Sequence, residues 1–187
     1  MYPHHLHQAP RPQCPCLLCE IGGQLVEVIL LKTELLHDIE AVIHQIEKAS
    51  RQGNSAALDL LPNDAASDAL LLRHLDTAVN QTVSRCQAYM LLPTAFAHRI
   101  TTNHTYGWEE KSIYLGMPPK WPPFCIDPLR DAIHNFIVYR TLQLFLAFTD
   151  EKAAAKCDAH ALSYYDEINA QLNTRQGPEN IKPTFLG

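Results

Sequence analysis

Along residues 24–51 the apolar side chains Leu35, Ile39, Val42, Ile46 and Ala49 recur at intervals of 4, 3, 4 and 3. That spacing keeps successive residues on one face of a helix with 3.6 residues per turn, so the pattern predicts a long amphipathic helix, ended by Gly53. A segment with Asn54, Pro62, Asn63 and Asp64 follows. A second stripe of Leu71, Leu75, Ala78, Val79, Thr82, Val83, Cys86 and Tyr89 then predicts another helix of about 24 residues, with Ser67 as its N-cap and Pro93 closing it.

Between residues 95 and 123 the period changes. Arg99-Ile-Thr-Thr and Lys111-Ser-Ile-Tyr-Leu-Gly-Met are β-branched or alternating, and residues 103–107 sit between them as a hairpin loop would. This predicts a two-stranded ribbon between the second and third helices. The run Met117-Pro-Pro-Lys-Trp-Pro-Pro forces an extended crossing, because each proline fixes φ and disfavours helix in the residue before it. Asp127-Pro128 then reads as N-cap and first residue of a new helix.

The helix predicted over 128–148 carries two apolar faces. Leu129, Ile133, Phe136, Ile137, Leu144, Ala147 and Phe148 make one, and Val138, Leu142, Phe145 and Leu146 make the other. A helix apolar all round is either central in its bundle or covered by another chain, which makes Val138, Leu142, Phe145 and Leu146 candidate interface residues. Thr149-Asp-Glu supplies a capping hydroxyl and two acids for a last helix over 150–173, with Cys157, Ala161, Tyr164, Ile168 and Leu172 as its inner seam. The expected fold is mainly α: a four-helix, bundle-like domain with one β-hairpin between helices 2 and 3. Residues 1–23 form a Pro-, His- and Cys-rich N-terminal arm, 24–173 the domain, and 174–187 an extended tail in which Ile181, Phe185 and Leu186 are candidate docking residues.

Composition narrows the function classes. At 187 residues the chain has length for one domain with a substantial core, and seven glycines are few for a phosphate-cradling enzyme. The net charge of -5, with no run of adjacent Lys or Arg, leaves no face for sequence-independent nucleic-acid binding. No apolar run approaches the roughly 20 residues of a membrane span, and the N-terminus has no charged region followed by an apolar one, so a soluble protein without a signal peptide is expected. Cys86 and Cys157 fall at apolar-periodic positions and read as small core residues in a reduced compartment.

Candidate chemistry is concentrated in the arm. Cys14, Cys16 and Cys19 lie behind His4, His5 and His7, and thiolates with imidazoles are ligands that zinc prefers. Three cysteines leave a fourth ligand to come from one of those histidines or from another chain. Glu34-Leu-Leu-His37 and Asp131-Ala-Ile-His134 echo half of a di-metal carboxylate site, but the predicted stripe turns His37 and His44 to solvent. There is no Gly-x-Ser-x-Gly elbow and no phosphate loop. Arg140, on an otherwise apolar face, is expected to pair with an acid such as Asp76 or Asp158, and Trp108, Tyr114 and Trp121 to supply packing area for the ribbon rather than stack on a ligand. No catalytic residue and no cofactor is assigned; zinc at the arm is the one metal candidate.

The order of elements carries a resemblance. The segment SIYLGMPPKWPP followed by DPLRDAIHNFIVYRTLQLFLAFTDEKAAAKCDAHALSYYDEI resembles the head-to-tail connector (adaptor) proteins of tailed bacteriophages and prophages. In those proteins a strand ends in a proline, a helix ends near an arginine and aromatic residues, and a polar turn leads into an alanine-rich helix. The resemblance covers about residues 24–173 and brings no catalytic motif; the Cys/His arm departs from it. It implies a non-enzymatic virion protein of the head-tail neck, made in the host cytoplasm. Its subunits would form a homo-oligomeric ring, typically twelve-fold, beneath the portal protein and against a further neck or tail protein, with DNA passing through without specific binding. The alternatives are a small zinc-binding regulatory protein that uses the arm, and a cellular α-helical interaction module.

Overall fold

The computed structural model describes residues 23–52, 65–90 and 108–175. In them the chain is mainly α, with four principal helices and a two-stranded antiparallel sheet. Strand β1 (Gln24–Leu31) runs into α1 (Lys32–Gln52); α2 (Ala65–Cys86) ends in a short 3-10 turn (Gln87–Tyr89); β2 (Glu110–Met117) leads through a second such turn (Pro123–Cys125) to α3 (Ile126–Leu146) and then α4 (Glu151–Asn173).

Residues 24–31 are a strand and not the start of the first helix. Val26, Val28 and Leu30 alternate inward, while Leu25 and Ile29 stay half exposed, the period-2 signature of a sheet with one face on the core. The partner is β2, in a register that sets Val26 opposite Leu115 and Val28 opposite Ile113. The expected strand over Lys111–Met117 is therefore present, whereas residues 99–102, its expected partner, lie outside the described residues. Lys32 N donates to Glu109 O at 3.0 Å and closes the end of the ladder where the chain turns into α1.

In α1 the buried row is Leu35, Ile39, Ile43 and Glu47, an i, i+4 ridge, with Val42 and Ile46 only partly buried beside it and Ala49 exposed. The helix packs on α3 along that ridge, so its buried face is rotated from the predicted stripe. In α2 the inward residues are Leu71, Leu75, Ala78, Val79, Thr82 and Cys86. Ser67 stands inside this helix, two residues past its start, so it is no N-cap.

The proline-rich crossing is turned rather than wholly extended: Trp121 N donates to Pro118 O at 2.9 Å and Cys125 N to Pro122 O at 3.0 Å. α3 starts with Cys125 as N-cap, so Asp127 and Pro128 occupy its first turn and not the cap and first positions. Pro128 is tolerated there because the first-turn N–H groups have no partner within the helix, and the Asp127 carboxylate meets the positive end of the helix dipole.

α3 is central, packing against α1, α2 and α4. Leu129, Ile133 and Ile137 lie on one side of it and Val138, Leu142 and Leu146 on another, all 2% exposed or less. Val138, Leu142 and Leu146 are therefore core residues covered by the chain itself and not the interface expected of them; Phe145 is partly buried against the same core. α4 is capped by Asp150, whose Oδ1 accepts from Ala153 N at 3.0 Å, one residue after the hydroxyl expected to cap it. Its buried seam is rich in small residues, Ala153, Ala154, Cys157 and Ala161, followed by Ile168 and Leu172, which lets α4 lie close along α3. Among the described residues no helix is long and apolar enough to cross a membrane.

Candidate interaction surface

α3 and α4 are joined by four residues, 147–150, and Arg140 ties the pair to α2. Its Nε donates to Gln81 Oε1 at 2.8 Å, and its Nη1 donates to Gln143 Oε1 at 2.9 Å and Asp158 Oδ1 at 3.2 Å. A guanidinium has five donors in a fixed fork, so a single side chain can serve three helices at once. The pairing with Asp158 fulfils the expectation from sequence; Asp76, the other acid considered, accepts instead from Trp108 Nε1 at 2.7 Å.

Two aromatic groupings flank this node. Tyr139 stacks on His160 with ring centroids 4.8 Å apart and on Tyr164 at 5.7 Å. Burial, with smaller contributions from Tyr164 and Cys157, holds the Tyr139 hydroxyl above its ordinary pKa. Phe136 meets Tyr165 at 6.4 Å, and the Arg85 guanidinium lies 4.1 Å over the Tyr165 ring. A hydrogen bond with Asn169, aided by the Arg85 charge, pulls the Tyr165 hydroxyl below the usual tyrosine value.

Between α2 and α3 an open groove of about 490 Å³ is lined by Thr77, Asn80, Gln81, Ser84, Arg85 and Arg140. Elsewhere the surface carries exposed apolar side chains: Phe148, 95% exposed, in the α3–α4 turn; Phe124, 74% exposed, before α3; Leu162 on the outer side of α4; and Leu25 and Ile29 on the outer face of the sheet.

The tryptophans serve the fold. Trp121 is 1% exposed and its Nε1 donates to Gln171 O at 2.8 Å, locking the proline-rich crossing to the end of α4. Tyr89, in the 3-10 turn after α2, donates through its hydroxyl to Asn173 Oδ1 at 2.8 Å. His37 and His44 are exposed, as the helical phase required. His134 donates through Nε2 to Asp38 Oδ2 at 2.8 Å, a link from α3 to α1 that the two sequence motifs did not reveal, because its partners lie 96 residues apart.

Cys86 and Cys157 are core thiols, as expected, and Cys125 joins them. Burial raises the thiol of Cys86 to about 11 and that of Cys157, with a smaller push from Asp150, to about 11, which disfavours the reactive thiolate. Among the described residues no group of three or more His, Cys, Asp or Glu is placed to hold a metal. Cys14, Cys16 and Cys19, and likewise Ile181, Phe185 and Leu186, lie outside the described residues. Comparison with protein-family models, with curated proteins and with solved structures finds no match.

Proposed function

We propose that this protein is a structural subunit of the head-to-tail connector of a tailed phage or prophage. It would sit as a ring beneath the portal and continue the DNA channel towards the tail. The observation that carries the reading is the second half of the chain: β2 ends at Met117-Pro118, the proline-rich crossing is pinned by Trp121, and α3 passes Tyr139 and Arg140 before turning sharply into the alanine-rich α4. That sequence of elements is the one on which the resemblance to connector proteins rests. The net charge of -5 suits a wall along which DNA slides without adhering. The exposed Phe124 and Phe148 are side chains that an assembling subunit can bury against neighbours.

In this role the chain does no covalent chemistry. Its contribution is a rigid three-helix contact around α3 that presents surfaces at fixed angles. Deleting the gene from the phage or prophage that encodes it tests the role. The expected product is DNA-filled heads without attached tails, restored by the gene supplied in trans; normal tailed particles from the deletion would overturn it.

A further inference from the structure

The groove between α2 and α3 has a donor-rich chemistry that the connector reading does not use. The side-chain oxygens of both amides in it are turned to cations: Gln81 Oε1 accepts from Arg140 Nε at 2.8 Å and Asn80 Oδ1 from Lys111 Nζ at 3.5 Å. An amide whose oxygen is engaged presents its NH2 group on the other side. The two hydroxyls are committed as donors to the preceding helical turn, Thr77 Oγ1 to Arg73 O and Ser84 Oγ to Asn80 O. The Arg85 guanidinium, 4.1 Å over the Tyr165 ring, completes the lining together with Arg140. The Arg85 guanidinium, the Nη2 that Arg140 keeps beyond its bonds to Gln81, Gln143 and Asp158, and the amides of Asn80 and Gln81 thus border one open volume of about 490 Å³. Such a lining suits an acceptor, and the Arg85 fork matches a planar two-oxygen group in particular.

We propose that this groove is a docking site for a single carboxylate, carried by an acidic side chain of a partner protein. The surroundings favour one compact anionic group over a polyanion. Asp158 already shares Arg140, Asp76 stands beside Lys111, and Asp166 adjoins Tyr165, so a nucleic-acid strand running past the groove meets carboxylates on its flanks. A lone carboxylate, borne on one side chain of a partner, meets the groove's donors without running along these acids.

The test is a titration of the 15N-labelled full chain, following the Nε–Hε signals of Arg85 and Arg140 and the side-chain amides of Asn80 and Gln81. Glutarate, inorganic phosphate and a 15-nucleotide oligothymidylate are added at constant ionic strength, with sodium chloride as reference. Glutarate is expected to shift these four side chains together and saturably, with phosphate binding no tighter and the oligonucleotide weaker still. Arg85→Gln, at an exposed position, is expected to weaken glutarate about fivefold or more. Asn80→Asp, which puts a like charge in the groove, is expected to abolish the response with the circular dichroism spectrum unchanged. No saturable shift beyond that of chloride, or equal binding by the two variants, overturns the site. Tighter binding of phosphate or oligothymidylate overturns its assignment to a protein carboxylate. None of these outcomes depends on the protein being a phage component, which the gene deletion tests separately.

Discussion

Arg140 Nη1 lies 3.2 Å from Asp158 Oδ1, and the same guanidinium reaches Gln81 on α2 and Gln143 one turn along α3. The pair is partly exposed, so the ion pair alone contributes little, about 1 kcal/mol or less. Asp158→Asn is therefore expected to lower stability by under about 1 kcal/mol, whereas Arg140→Ala, which also strands Gln81 and removes buried methylenes, costs about 2 kcal/mol. Urea denaturation of both variants measures the difference, and equal losses would mean that the links to α2 are energetically idle.

Leu142 is fully buried between α3 and its neighbours. Truncation to Ala is expected to cost about 2–5 kcal/mol, and Leu142→Asp, which adds an unpaired buried charge, to leave the chain unfolded at ordinary temperature. Circular dichroism of the isolated protein checks this. A folded, helical Leu142→Asp protein would return that face of α3 to the surface.

How far the sequence could lead is visible in these two residues and in β1. The apolar wrap of α3 and the need of Arg140 for an acid were legible, because both follow from helical periodicity and from the cost of an unpaired charge on an apolar face; which of Asp76 and Asp158 it takes was not. The strand over residues 24–31 was not. Its alternating Val26, Val28 and Leu30 run directly into a helix, and only pairing with a distant segment, Val28 opposite Ile113, makes it a strand. The same non-locality hid the pairing of β2 with β1; residues 99–102, the nearer candidate, lie outside the described residues. It also hid the His134–Asp38 link and the groove, which need three helices brought together before they exist.

Arg130 Nη2 donates to Glu27 O at 3.1 Å, on the side of β1 turned away from β2. Among the described residues no strand pairs along that edge. The arginine thus occupies one backbone acceptor on an edge whose outer face also carries the exposed Leu25 and Ile29. Arg130→Ala is expected to change thermal stability little but to raise the rate of aggregation on warming, followed by light scattering. Unchanged aggregation would mean that this edge needs no protection.

Both Cys86 and Cys157 have thiols raised by burial from an ordinary 9.0 to about 11. With the folded pKa above the unfolded one, the unfolded chain loses these protons first, so the stabilisation is complete below pH 9 and is lost as pH rises towards 11. Within that window each thiol contributes a slope of about 1.4 kcal/mol per pH unit. Lys111, whose pKa is lowered by burial against an opposing pull from Asp76, works in the other direction. Cys86→Ala is expected to be less stable at neutral pH but to lose less stability than the natural chain between pH 9 and pH 11; equal losses would contradict the assignment of alkaline sensitivity to this thiol.

The cysteine-rich arm carries its own prediction. If Cys14, Cys16 and Cys19 hold zinc with one of His4, His5 or His7, protein purified without added metal contains one zinc per chain, and Cys16→Ser loses it. Atomic emission measures the content. A zinc-free natural chain removes the metal-dependent reading of the arm.

The central claim, that the chain is a ring-forming subunit beneath a portal, is tested most directly by native mass spectrometry of the purified full-length protein mixed with the portal protein of the same phage or prophage. The account predicts a complex heavier than the portal ring by twelve copies of the 21.1 kDa chain. A mixture in which the portal ring keeps its own mass and this chain stays monomeric would contradict it.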